Sequence, residues 1–297
     1  MAKSIKIGST DFWGGFTLQD SLFYKIIEFC GYEPIIDNDN PDILFYSVFG
    51  GNHFKYHNVI KIWFSGENWG LPNFNQCNFA LSGYFIDDPR HYRLPLYTLY
   101  CESILNDTGT HLKIYDKLSK PRKIEEIKPK TKFCNFVYSN GDPNREGTKF
   151  RQEFFHRLSQ YKQVDAGGAC LNNIGGPVAD KVLFISDYKF TIAIENSGAF
   201  HGVHGYTTEK IFHPMLVDSI PIHWGNPYIG REFNPKSIVT CHNYSNIDKV
   251  IERIVEIDKN DELYKNYLTE PFIIDHEGTP FNMTNLITYF KTNILNG

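Results

Sequence analysis

The run from Lys189 to His242, KFTIAIENSGAFHGVHGYTTEKIFHPMLVDSIPIHWGNPYIGREFNPKSIVTCH, constrains the fold of this chain more than any other stretch. Its apolar start, Phe190, Ile192, Ala193 and Ile194, is short enough for a buried strand, and Glu195-Asn196-Ser197 follow at once. Polar groups at the carboxyl edge of a strand stand where open α/β sheets hold their ligands. A loop carrying Gly198, Gly202 and Gly205 leads into Tyr206-Thr207-Thr208-Glu209-Lys210, where either threonine can cap a helix. Lys210 then falls in the first turn. There its charge adds to the unpaired amides and the positive end of the helix dipole, an arrangement suited to a diphosphate.

The same alternation runs through the rest of the chain. Ser4–Gly8 reads as a strand, Ser21–Cys30 as a helix, and Glu33–Ile36, Ile43–Val48, Lys61–Phe64, Phe79–Ser82 and Leu94–Tyr97 as further strands. Residues 118–132, LSKPRKIEEIKPKTK, are charged, broken by proline and poor in large apolar groups, the composition of a linker. Beyond it Phe133–Tyr138 restarts the strands, Thr148–Leu158 makes a helix, and Ile220–Trp224 and Ile238–Thr240 continue the rhythm before a terminal helix near Thr284–Leu295. Pro214 should kink or end the helix that starts near Thr208. At 297 residues the chain has room for two α/β domains with separate cores.

Composition excludes several classes. A net charge of −4 argues against general attraction to nucleic acid or acidic lipid, so any anion site is local. Cysteines at 30, 77, 101, 134, 170 and 241 are scattered without a C-x-x-C pair, which reads as free thiols rather than a zinc or redox site. Asp37-Asn38-Asp39 is a D-x-D of the kind that binds a metal with a sugar nucleotide, but among Asn40, Pro41 and Asp42 it reads as turn chemistry. No phosphate-binding G-x-x-x-x-G-K-[ST] and no H-E-x-x-H occurs. The N-terminus lacks a signal-peptide core, and no run reaches the ~18 apolar residues of a membrane span. The expectation is a cytoplasmic protein with no integral membrane segment, peripheral membrane association remaining open. Sequons at Asn106, Asn243 and Asn282 carry weight only in a secreted chain.

Taken in order, ENS at 195–197, YTTEK at 206–210, SIPIHWGNP at 219–227 and FNPKSIV at 233–239 resemble the donor-binding motif of glycosyltransferase family ten, the α-1,3/1,4-fucosyltransferases. Residues 65–97 resemble that family's acceptor-side motif, and residues 132–158 the start of its donor domain; together the blocks cover somewhat more than a third of the chain. The short length looks more like its bacterial or viral members. The resemblance implies a GT-B-like α/β fold, two Rossmann-like domains facing each other across a cleft. It implies an acceptor-binding domain over 1–125, a GDP-fucose-binding domain over 126–280, and a C-terminal helix over 281–297 crossing back to the first domain.

The resemblance also assigns roles. It makes Glu67, in the Gly66-Glu67-Asn68 turn, the general base that takes a proton from an acceptor hydroxyl. Arg151 matches an arginine used on the donor phosphates, where a guanidinium can clamp two oxygens, and Lys210 is the second phosphate cation. Arg145 is a nearby competitor. Glu209 would accept from ribose or sugar hydroxyls, and Asn196 and Tyr206 would add hydrogen bonds to the donor. Glu195 reads equally well as a donor contact or a structural acceptor. The loop Gly198–Gly205, with His201 and His204, is longer than the pattern. The implied reaction is inverting transfer of L-fucose from GDP-β-L-fucose to an N-acetyllactosamine-type or other glycan. No cofactor and no protein-bound metal is required, although a divalent cation could stimulate. A transferase with another nucleotide sugar or acceptor, or a non-catalytic nucleotide-sugar binding protein, are the alternatives.

Overall fold

The computed structural model describes residues 3–99, 117–274, 280 and 283–295; Cys101, Asn106 and Asn282 lie outside them. The chain divides into two compact units, Met1–Thr108 with Phe200–Val203 and Glu277–Gly297, and Gly109–Ala199 with His204–His276.

The first unit is built on a six-stranded sheet of order β2-β1-β3-β4-β5-β6. Its strands are β1 (Lys3–Thr10), β2 (Tyr32–Ile36), β3 (Ile43–Tyr46), β4 (Ile60–Ser65), β5 (Phe79–Ser82) and β6 (His91–Arg93), all paired in parallel. Parallel strands buried on both faces explain runs such as ILFY in β3, in which every residue is buried. Helix α1 (Leu22–Phe29), capped by Ser21, connects β1 to β2. Its Leu22, Phe23, Ile26 and Ile27 share one face and pack with Ile7, Ile43, Phe45, Ile62 and Phe64 of the sheet. Helix α2 (Leu96–Leu99) follows β6. A strand over 94–97 is not formed. Pro95 has no amide for a ladder, and its carbonyl instead takes the Thr98 amide at 3.0 Å, which starts a helical turn.

The second unit carries a five-stranded parallel sheet of order β11-β10-β9-β7-β8. Along the chain its elements are β7 (Lys132–Phe136), α3 (Glu146–Leu158), β8 (Val164–Ala166), α4 (Lys181–Ile185), β9 (Tyr188–Ile194), α5 (Glu209–Leu216), β10 (Ile220–Trp224), β11 (Val239–Thr240), α6 (Ile247–Lys259) and α7 (Asp261–Thr269). Its core joins Phe136, Phe154, Leu158, Phe190, Ile192, Ile222, Ile254 and Ile257. The segment 118–132 is less a free linker than its charge suggests. Leu118 is fully buried, its carbonyl takes the amides of Phe272 and Ile273, and Arg122 pairs with Asp218 at 2.6 Å. Helix α5 runs two residues past Pro214, because one missing amide in the last turn is offset where the Pro214 carbonyl accepts from Val217 and Ser219.

Helix α8 (Met283–Tyr289) continues as a wider π-helical turn, Phe290–Leu295. Leu286, Phe290 and Ile294, spaced by four, enter the core of the first unit. Burying a side chain such as Phe290 there contributes about 1.5–3 kcal/mol. No helix among the described residues is long and apolar enough to cross a membrane.

Numbered within each unit, both sheets follow the order 2-1-3-4-5, with a sixth strand added in the first. Such an order reverses direction between its first and third strands, and ligands settle in the crevice outside their carboxyl ends. The two reversal points are β1/β3 and β7/β9.

Candidate functional site

At the β7/β9 reversal point of the second unit lies a cavity of about 410 Å³, lined by Tyr138, Ser139, Asn140, Arg151, Gly167, Gly168, Val178, Lys181, Asn196, Glu209 and Lys210 among others. Local chemistry holds its walls. Past the end of β7, the Tyr138 hydroxyl accepts from the Ile194 amide at 2.8 Å and donates to the Ile192 carbonyl at 2.7 Å, tying the diverging strand ends together. Burial pushes its phenol far above the ordinary tyrosine range. The start of α3 closes against the end of β9: the Gly147 amide donates to the Asn196 carbonyl at 3.0 Å, and a Cβ at Gly147 would run into the Glu195 carbonyl. Gly168 leaves the same kind of room for the Tyr138 backbone.

Arg151 projects from α3 and is fully buried. Its Nη1 donates to Asn196 Oδ1 at 2.6 Å, its Nη2 donates to the Asn140 carbonyl at 2.5 Å, and its guanidinium lies 4.1 Å from the Tyr138 ring centroid. Burial lowers its pKa, and Nε has no partner among the described residues. Arg145, the competitor, is exposed and pairs loosely with Asp142 at 3.8 Å.

Lys210 stands in the first turn of α5, whose cap is Thr208. Its ammonium lies 3.0 Å from Glu195 Oε2, 3.0 Å from Thr208 Oγ1 and 3.8 Å from Glu209 Oε1. Burial alone would lower its pKa, but the Glu195 and Glu209 carboxylates outweigh that and hold it raised. Glu209 also pairs with Lys181 at 3.5 Å. Burial works against the Glu209 carboxylate, yet Lys210 and Lys181 keep its pKa lowered, while burial pulls the Lys181 ammonium down. Arg151, Lys181, Lys210 and Glu209 line the cavity and Glu195 lies buried behind Lys210, an excess of one positive charge beside the N-terminus of a helix. Such a cavity can receive an anion.

Of the residues singled out in the sequence, Arg151, Asn196, Glu209 and Lys210 meet on this cavity. Glu195 and Tyr206 do not line it. Glu195 is fully buried, and its oxygens are taken by the Thr208 amide at 2.8 Å, the Thr208 hydroxyl at 2.7 Å and Lys210, so it orients the helix start and the lysine. Tyr206 is buried just before the cap. Lys181 and Tyr138 went unrecognised. Tyr138 does end an expected strand, a usable signal, whereas nothing local marks Lys181.

Glu67 belongs to the first unit, in the turn after β4. Ser65 Oγ donates to the carbonyls of Glu67 at 3.0 Å and Trp69 at 3.2 Å, and the Tyr84 hydroxyl donates to Asn68 Oδ1 at 3.1 Å. The turn is pinned from below while the Glu67 side chain is exposed. Burial raises the Tyr84 phenol, and the nearby Glu67 carboxylate raises it further. The D-x-D of the same unit is a turn: Asp37 accepts the amides of Asp39 at 3.1 Å and Asn40 at 2.9 Å and pairs with Lys6. Among the described residues no cluster of His, Cys, Asp and Glu is placed to hold a metal ion.

Two Rossmann-like parallel-sheet units, one with a cationic cavity at its reversal point, define a GT-B-like α/β protein. Comparison with known proteins narrows that class. Residues 127–270 match the model of the glycosyltransferase family 10 (fucosyltransferase) C-terminal region, and residues 7–100 that of the α-(1,3)-fucosyltransferase FucT N-terminal domain. The chain belongs to glycosyltransferase family 10. It is 30% identical to the α-(1,3)-fucosyltransferase FucT of Helicobacter pylori across 97% of its own length and 65% of that protein's. A putative fucosyltransferase of Acanthamoeba polyphaga mimivirus is 34% identical over 61% of this chain and 31% of the viral protein. Among solved structures, an α1,3-fucosyltransferase with GDP-fucose superposes with a TM-score of 0.78 at 28% identity, covering 98% of this chain and 91% of that one.

Proposed function

We propose that this chain is an inverting α-1,3-fucosyltransferase that moves L-fucose from GDP-β-L-fucose to a hydroxyl of an N-acetyllactosamine-type glycan. The observation that carries this reading is the convergence of Arg151, Lys181 and Lys210 on one cavity at the start of α5, in the unit that matches the family's C-terminal region. In this account residues 126–280 bind the donor, residues 1–125 bind the acceptor, and 281–297 complete the first domain. Glu67 Oε removes the proton of the acceptor hydroxyl as its oxygen attacks the anomeric carbon from the face opposite the diphosphate. The bond from that carbon to the β-phosphate oxygen breaks, GDP leaves with the electron pair, and an α-linked fucoside remains. Charge grows on the departing diphosphate in an oxocarbenium-like transition state. Arg151 and Lys210 offset it, Lys210 being held in place by Glu195. Glu209 accepts from ribose or sugar hydroxyls, and Asn196 is fixed by Arg151 so that its amide nitrogen can donate. Tyr206, buried two residues before the cap, would add a hydrogen bond to the donor as that site forms around it.

The test is product analysis. Purified protein with GDP-fucose and N-acetyllactosamine should yield a fucosylated trisaccharide whose anomeric proton signal is that of an α-fucoside. Excess GDP-mannose should compete weakly, and a chelator should leave transfer measurable. Donor binding without product across a panel of glycans would overturn the transferase reading, and a β-fucoside would overturn inversion.

A further inference from the structure

At the carboxyl edge of the first sheet, large aromatic side chains face outward. Trp13 follows β1, Phe49 and Phe54 follow β3, and Trp69 follows β4; their fractional exposures are 44%, 47%, 55% and 63%. They sit around the β1/β3 reversal point, where the fold places a ligand crevice. Exposed aromatics gathered at one edge mark a recognition surface more often than scattered ones do.

The layer beneath is closely packed and hydrogen-bonded. Phe12 stacks on Phe16 at 3.9 Å, and both rings meet Trp13 edge-on, at 5.6 and 5.2 Å. Trp13 in turn meets Phe49 edge-on at 6.5 Å. Asp11, at a φ of 59°, anchors the β3 loop: its carbonyl accepts the Phe49 amide at 3.0 Å, and its carboxylate accepts the amides of Asn52 and His53, each at 2.9 Å, and His53 Nδ1 at 2.7 Å. The His53 ring is held between Tyr46 at 4.2 Å and Phe54 at 4.1 Å. Gly50 passes so close to Asp11 that a Cβ there would collide with its carboxylate. In the Trp69 turn Gly70 has a φ of 87°, which suits glycine, and a Cβ added there would come to 3.4 Å from Val48, the residue before Phe49.

We propose that Trp69, with Trp13 and Phe49, is the stacking platform that seats the acceptor sugar, an inference that rests on the assignment of Glu67 as base. A pyranose has an apolar C–H face and a rim of hydroxyls, so it is recognised by a flat, preorganised ring beside polar groups. Trp69 meets that description: it is two residues from Glu67, in a turn that Ser65 fixes at both carbonyls, and the Glu67 carboxylate supplies the polar neighbour. An acidic phospholipid surface fits less well, since the exposed Glu67 puts a carboxylate beside Trp69 and the chain is acidic overall.

The experiment compares wild type, Trp69→Ala, Trp69→Phe and Trp13→Ala by initial rates against N-acetyllactosamine and against GDP-fucose, with tryptophan fluorescence titrated by N-acetyllactosamine alone. Trp69→Ala should raise the acceptor KM about tenfold or more, leave the GDP-fucose KM within about twofold, and be largely rescued in Trp69→Phe. Wild-type fluorescence should change on addition of the glycan and fail to change in Trp69→Ala. An unchanged acceptor KM in Trp69→Ala, or equal losses for donor and acceptor, would overturn the platform while leaving the transferase reading intact. A Trp69-dependent fluorescence response without fucose transfer would support the platform and remove the transferase reading. Trp69-dependent sedimentation with phosphatidylglycerol vesicles, with no response to the glycan, would overturn it in favour of a membrane surface.

Discussion

Replacing Arg151 by lysine keeps the charge and removes the fork, which makes it a sharp test of how the cavity works. Arg151 is fully buried and spends one terminal nitrogen on Asn196 Oδ1 at 2.6 Å and the other on the Asn140 carbonyl at 2.5 Å, with its planar face over Tyr138. A single ammonium can reach one of these acceptors, so one hydrogen bond to a charged group is lost, worth about 1.5–3 kcal/mol. Both acceptors belong to the cavity wall. The loss therefore falls on the position of Asn196 or Asn140 and on any bidentate grip of a phosphate, and the GDP dissociation constant should rise about 10- to 100-fold. Calorimetric titration with GDP and, separately, with guanosine reads the effect, and urea unfolding controls for global damage. The reasoning requires a large loss for GDP and a loss below about threefold for guanosine. It fails if GDP binds the variant as it binds wild type. It also fails if guanosine and GDP weaken alike, which would make Arg151 a wall support with no share in phosphate binding.

Two other perturbations separate structure from chemistry. Glu195→Gln keeps an oxygen for the Thr208 amide but strips the charge from a buried pair whose Lys210 partner lies 3.0 Å away, so urea unfolding should show a loss of about 3–5 kcal/mol. A loss below about 1 kcal/mol would mean that Lys210 finds enough compensation in Glu209. His223 is fully buried with neither ring nitrogen partnered among the described residues, and burial, aided by His242, lowers its pKa to about 3. The unfolded chain takes up this proton near the ordinary histidine value while the folded chain refuses it, so stability falls as pH drops from about 6.5 toward 3. At pH 4 the deficit is roughly 3 kcal/mol, at about 1.4 kcal/mol per pH unit. His223→Leu should flatten the fall in unfolding free energy between pH 6.5 and 4; an unchanged slope would show that the site admits the proton.

Much of this arrangement was legible before folding, because the signals are local. The β9–α5 segment announces itself through an apolar run, a polar edge and a threonine cap within twenty-odd residues, a spacing on the order of one strand-turn-helix unit. Glu195 shows where such reading stops. A carboxylate at a strand end is visible, but whether it faces a ligand or its own helix cap depends on Thr208 and Lys210 folding back over it. Lys181 carries no motif at all; it matters because α4 packs beside α5 and brings its ammonium to Glu209. The segment 118–132 misleads in the opposite sense, since its charges hide Leu118 and Arg122, both engaged by partners about a hundred or more residues along the chain. Pro95 shows how one missing amide ends a strand that apolar patterning alone would extend.

The central claim is tested most directly by GDP release from GDP-fucose, with and without N-acetyllactosamine, in wild type and Glu67→Gln. The account predicts acceptor-dependent release in wild type and a fall of about 10²- to 10⁴-fold in the variant, with GDP-fucose affinity retained because the side chain belongs to the first unit. Acceptor-dependent turnover by Glu67→Gln at the wild-type rate would contradict the assigned base, and a wild-type protein that fails to bind GDP-fucose would contradict the account as a whole.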